Sequence, residues 1–204
     1  MRIAAVLVLL AACFMANGPA AADDDPISKP GFELPKAKQT TLGLYVTAVE
    51  AYEMWRAAPD RVTVFDVRTP EEYIFIGHAE MAWNVPLAFQ TYEWNTDKGR
   101  FAFERNPEFV ASAREIAAPA DTILVMCRAG GRSAMAVNAL VEAGFTNVFN
   151  VIDGVEGDKV DDPGSILHGK RMRNGWKNSG LPWTYEVLRE RVKVHGPEVV
   201  PEGQ

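Results

Sequence analysis

Cysteine is nearly absent from this chain: two in 204 residues, Cys13 and Cys127. That excludes a scaffold held together by disulfides. Histidine is scarce too, and the spacing of His78, His168 and His195 offers no metal site. No long run of lysine and arginine occurs, and 27 acidic against 21 basic residues leave a net charge of −6. A surface of that sign disfavours nucleic acid and anionic membranes as partners. Nor is there an apolar stretch long enough for a permanent membrane span, since the run from Ile3 to Met15 falls short of one. What is present, 48% apolar and 24% charged residues, fits one globular domain with a substantial core.

The first 22 residues carry the marks of a secretory signal: Arg2, the apolar run, Gly18-Pro19, then Ala20-Ala21-Ala22 as a small-residue cleavage site. The expected location is therefore periplasmic or secreted. Leu10-Ala11-Ala12-Cys13 offers an alternative, a lipobox that would anchor the protein through Cys13. Removing residues 1–22 leaves 20 basic and 27 acidic residues, a net charge of −7, and Cys127 as the one remaining thiol. An unpaired thiol in an oxidising compartment needs a reason to be there, and chemistry is the most economical one.

The stretch around that thiol is the most informative in the chain. Thr122 to Met126 is a β-branched and aliphatic run that reads as a buried parallel strand, and Ala134 to Ala143 has a helical pattern. Between them, Cys127-Arg128-Ala129-Gly130-Gly131-Arg132-Ser133 must turn from strand to helix. Glycines allow a tight turn, and the helix start leaves backbone N–H groups aimed at whatever lies over the cysteine. Such a turn is a cradle for an anion. The helix end and the two guanidiniums both favour negative charge on sulfur, which makes Cys127 a candidate nucleophile. Most free cysteines are small buried hydrophobes instead, but two arginines are costly to place here without an anion partner.

Elsewhere, residues 23–41 read as an extended strap or linker rich in Pro and Lys, and the domain proper spans 42–193. Leu42 to Val46 is an edge-strand candidate, and Thr47 with Glu50 forms a capping box for a helix over Ala48 to Ala57. A strand from Arg61 to Val67 leads into Thr69-Pro70-Glu71-Glu72, a strong helix start closed by Gly77-His78. A short strand follows over Met81 to Pro86. Leu87 to Arg105 reads as a long loop rich in aromatic residues, either functional or packed down as a lid. Asn106-Pro107 opens another helix reaching about Ala117, and Val148 to Ile152 is the last strand. Alternation of this kind predicts an α/β fold, a small parallel β-sheet flanked by helices on both faces. Ligands of such sheets sit at the carboxyl ends of the strands, where Cys127 lies. Residues 194–204 read as a disordered tail.

In order along the chain, Asp66-Val67-Arg68-Thr69-Pro70-Glu71-Glu72-Tyr73, Gly77-His78, Asn84-Val85-Pro86, the run from Ile123 to Ser133, and Gly144-Phe145-Thr146-Asn147-Val148 resemble successive signatures of the rhodanese, or sulfurtransferase, domain family. The resemblance covers Leu42 to Gly157 and resumes at Gly175-Trp176 and Gly180-Leu181-Pro182; Met81 stands where the family usually has glycine. It implies a rhodanese-like fold and a persulfide mechanism without a cofactor. In that mechanism Cys127 attacks the outer sulfur of thiosulfate or a similar donor, sulfite leaves, and a thiol or cyanide later removes the sulfur. The loop amides from Arg128 to Ser133 would hold the charged sulfur; Arg132 would fix the loop and help bind the anion, and Arg128 would face the donor. Asp66 and Arg68 are expected at the pocket edge, with Arg68 paired to an acid of the following helix.

Two alternatives stay open. One is a sulfur-carrying or sensing module whose partner is another exported protein. The other is a cysteine-dependent phosphatase of the same architecture, disfavoured because phosphatases use Cys-x5-Arg, whereas Cys127 to Arg132 is Cys-x4-Arg, a tighter ring. An insertion over 158–174, with His168, Lys170, Arg171 and Arg173, should lie on the face of Cys127, as a docking or gating loop or as a solvated excursion.

Overall fold

The computed structural model describes residues 33–194. The expected signal segment, the strap up to residue 32 and the tail from residue 195 lie outside them. Chain order gives β1 (Tyr45–Val46), α1 (Ala48–Ala57), β2 (Val62–Asp66), α2 (Pro70–Ile76), β3 (His78–Ala79), β4 (Trp83–Asn84), β5 (Ala88–Asn95), β6 (Arg100–Arg105), α3 (Phe109–Arg114), β7 (Thr122–Met126), α4 (Gly131–Glu142), β8 (Val148–Val151) and β9 (Trp183–Thr184).

Five strands form one sheet in the order β1-β8-β7-β2-β4, every pair parallel. Successive side chains of a strand point to opposite faces. Val62, Val64, Leu124 and Met126 therefore enter one core with Ala48 and Ala51 of α1 and Trp176, while Phe65, Ile123 and Val125 enter another with Phe109 of α3 and Val137 and Leu140 of α4. This is the α/β architecture expected, a parallel sheet with helices on both faces. Both predicted capping boxes form: Thr47 with Glu50 starts α1, and Thr69 with Glu72 starts α2 ahead of Pro70.

Three elements differ from expectation. Leu87 to Arg105 is not a loop but an antiparallel hairpin, β5 against β6. Its strands are exposed or half-buried along almost their whole length, so no apolar alternation marks them in the sequence. The helix at Asn106 starts later, at Phe109, because Asn106 donates Nδ2 to Pro86 O (2.8 Å) and accepts Glu108 N at Oδ1 (3.0 Å), which holds it in the turn. And α4 starts at Gly131, so the cysteine turn is shorter than the predicted seven residues and Arg132 and Ser133 belong to the first helical turn.

Candidate active site

Cys127 follows the last residue of β7 and is 2% exposed. Its carbonyl accepts Val155 N (2.8 Å) and that of Arg128 accepts Glu156 N (2.9 Å), stitching the turn to the segment after β8. Glycine is required twice where these backbones meet. Gly130 has φ +90°, and a Cβ there would collide with Ile152 O; Gly154 has φ +62°, and a Cβ there would collide with Cys127 O. Asn150 Nδ2 adds a bond to Gly130 O (3.2 Å). The turn is thus fixed from below, and the first amides of α4 have no intrahelical acceptors. Ser133, fully buried, donates Oγ–H toward Cys127 Sγ at 3.4 Å.

Arg132 reaches across to α2. Its Nη1 and Nη2 donate to Glu72 Oε2 (2.5 Å) and Oε1 (2.6 Å), a two-pronged ion pair. Burial alone would raise the Glu72 carboxyl, but the Arg132 guanidinium and the Thr69 amide outweigh it and hold the group below the usual carboxylate range. The same guanidinium lies 5.6 Å from the Phe103 ring centroid.

Above the sulfur opens a cleft of about 910 Å³. Cys127, Arg128, Ala129, Gly131 and Arg132 line it, joined by Trp94, Phe101 and Phe103 from the hairpin, Lys38 from the 3-10 turn Lys36–Lys38, and Arg171 from the insertion. Gly130 and Ser133 lie buried beneath. The insertion is folded rather than loose: Lys159 bridges Arg171, Val160 bridges His168, and Asp158 pairs with Lys38 (2.9 Å). Of its expected basic patch, Arg171 is the member that reaches the cleft.

One expectation is corrected. Asp66 and Arg68 are not at the pocket edge; both are fully buried and absent from the cleft lining. Nor does Arg68 pair with an acid of α2. Its Nε and Nη2 grip the Asp66 carboxylate at 2.6–3.0 Å, and Nη2 also donates to Gly77 O (2.8 Å). An acid two residues back, at the end of β2, satisfies the fork before α2 can. His78 is structural, as its Nδ1 lies 3.1 Å from Tyr73 O, its ring stacks on Tyr73, and burial keeps its pKa below the ordinary histidine value.

Residues 47–160 match the Rhodanese-like domain family. The chain belongs to that family. Among relatives, this rhodanese-like domain is 38% identical over 89 residues to thiosulfate sulfurtransferase 16, chloroplastic, of Arabidopsis thaliana, an overlap of 44% of this chain and 67% of that one. It is 29% identical over 140 residues to an uncharacterized protein of Rickettsia conorii, covering 69% and 96% of the two chains. A crystal structure from M. tuberculosis superposes with a TM-score of 0.51 at 30% identity, over 69% of this chain and 96% of that one.

Sequence reasoning misses two contributors to the site and the form of a third. The sequence marks Glu72 only as a first-turn acid and gives Glu156 no role, although it follows the strand end that packs on the turn; the aromatics of 87–105 stand out as functional or lid residues, but not as a hairpin.

Proposed function

We propose that this rhodanese-like domain is a sulfurtransferase carrying sulfur as a Cys127 persulfide. The Cys127 thiolate attacks the outer sulfur of thiosulfate or a similar anion, a new S–S bond forms, the old one breaks, and sulfite leaves with its electron pair. A thiol or cyanide then takes the outer sulfur and returns Cys127 as thiolate. The observation that carries this reading is the commitment of Arg132 to Glu72 within a Cys-x4-Arg turn. A phosphatase needs that guanidinium free to clamp phosphate with both prongs; here both prongs are occupied, and the turn offers a buried sulfur to helix-start amides and the Ser133 hydroxyl.

Arg128, exposed and in the cleft wall, is placed to meet the incoming anion. A cleft of about 910 Å³ is far larger than thiosulfate or cyanide fills, which favours the thiol of a larger molecule as acceptor. The same breadth would serve a sulfur carrier that hands its cargo to an exported protein. On the sequence of residues 1–22, the proposed setting is the periplasm or the cell exterior.

Incubation of the mature protein with thiosulfate, followed by intact mass, tests the reading. A gain of one sulfur that disappears in Cys127→Ser is expected. No adduct, together with hydrolysis of an aryl phosphate, overturns it. Turnover on cyanide, compared with transfer to exported proteins, separates enzyme from carrier.

A further inference from the structure

Returning the sulfur to a thiol creates a proton problem. An acceptor that enters as R–SH, not already ionised in solution, brings a proton that has to leave as its sulfur attacks, and a base in the cleft is then what takes it. Among the described residues the cleft lining holds six cationic side chains and two carboxylates, Glu72 and Glu156, and no histidine. Glu72 has both oxygens on Arg132 and one also on the Thr69 amide. Lys38, the one lysine there, is paired with Asp158. Glu156 is different: its Oε1 is shielded from solvent and has no hydrogen-bond partner among the described residues.

The backbone holds Glu156 firmly beside the turn. Its N–H donates to Arg128 O (2.9 Å), the neighbouring Val155 N–H donates to Cys127 O, and its carbonyl accepts Asn178 Nδ2 (3.0 Å). A shielded carboxylate oxygen without a donor is an unfavourable arrangement unless something fills it. Buried Arg68, whose Nη1 also lacks a hydrogen-bond partner among the described residues, feels the Glu156 charge.

From this geometry we infer that Glu156 is the proton acceptor that makes a thiol a competent sulfur acceptor at this site, an inference that rests on the Cys127 persulfide reading. The step balances: R–SH gives its proton to the Glu156 carboxylate as its sulfur bonds to the outer sulfur of Cys127–S–SH. The bond between Cys127 Sγ and the outer sulfur breaks with its electron pair on Sγ, and R–S–SH leaves. Negative charge passes from Glu156 to Cys127 and none is created.

The test uses acceptors that differ in carrying a proton. Protein loaded from thiosulfate is mixed in single turnover with glutathione, whose thiol is still largely protonated at about pH 8, or with sulfite, which attacks through a lone pair. Glu156→Gln should lower the glutathione rate relative to the sulfite rate by at least about tenfold, the low end of general-base assistance. Glu156→Asp should recover part of that ratio. Equal loss with both acceptors overturns the inference and makes Glu156 a charge partner of Arg68, as does no loss with either. Wild-type protein that takes no sulfur from thiosulfate overturns the underlying sulfurtransferase reading, and is told apart because the loading step itself fails. If Glu156→Gln does not fold, a ratio left unaltered by Glu156→Asp is the overturning result.

Discussion

Arg132 of α4 and Glu72 of α2 face each other as a two-pronged ion pair at 2.5 and 2.6 Å, joining the helix that cradles Cys127 to the helix that follows β2. The pair commits both guanidinium prongs of Arg132 and makes it a strut; in the proposed persulfide cycle the charged sulfur is then left to backbone amides, Ser133 and Arg128.

Glu72→Gln should therefore loosen the turn as well as the fold. The side chains of the pair are 24% and 19% exposed, so solvent screens them in part, and a loss of about 1–2 kcal/mol is expected. The folded carboxyl sits below its usual range. Its stabilisation is complete above the ordinary glutamate value of about 4.3 and is lost as pH falls through the lower folded value. Thermal unfolding as a function of pH checks this: wild type should lose stability in that acid range, and Glu72→Gln should lose less there.

Removing one member of the Asp66–Arg68 pair should be more severe. Both are buried, and either Asp66→Ala or Arg68→Met leaves an uncompensated charge inside, at a cost of about 3–5 kcal/mol. Replacing both with apolar residues of similar volume should cost less than either single change. Urea titration measures the stabilities. Because neither residue lines the cleft, sulfur loading per folded molecule should fall little, and a large fall would return the pair to the pocket edge.

How far the sequence disclosed all this follows from the range of each signal. The capping boxes at Thr47 and Thr69 and the strand ending at Met126 rest on neighbours a few residues apart, and they form where expected. The expected partner of Arg68, an acid of α2, loses to Asp66, two residues back at the end of β2, which competes at closer range. The hairpin escaped notice because a ribbon wet on both sides has no alternation to read. Glu156 meets Arg128 only because β8 lies beside β7, a fact of sheet order that local pattern does not carry.

Asp153 sets a pH dependence of the opposite sign. It is 3% exposed, accepts Ala48 N (2.8 Å) and Gly175 N (3.0 Å), and burial pushes its pKa up to about 6. A raised carboxyl means the folded state holds the proton more tightly. Its contribution is complete below the unfolded value of about 3.9 and is lost as pH rises through about 6, a change of about 3 kcal/mol. Asp153→Asn should be less stable overall, since its amide N–H₂ would face one of the two N–H donors. The difference in unfolding free energy between wild type and variant should shrink as pH rises from about 4 to about 6; a constant difference would show that Asp153 does not titrate there.

Ser133 contacts the sulfur itself, and the two half-reactions of the proposed persulfide cycle should respond to it unequally. Its hydroxyl donates toward Cys127 Sγ, which in the proposed persulfide cycle is the nucleophile when sulfur is loaded and the leaving group when sulfur is discharged. A hydrogen bond to the attacking sulfur stabilises its charge and also lowers its nucleophilicity, so in loading the two effects partly cancel. In discharge nothing opposes the benefit. Ser133→Ala removes a hydrogen bond to a charged group, a loss of about 1.5 kcal/mol. It should therefore slow discharge to sulfite about tenfold and loading from thiosulfate by no more than about threefold. Stopped-flow single turnovers in each direction measure both rates. Equal slowing would mean that the hydroxyl only shapes the turn, whereas unequal slowing would mean that it holds the charge as the S–S bond breaks.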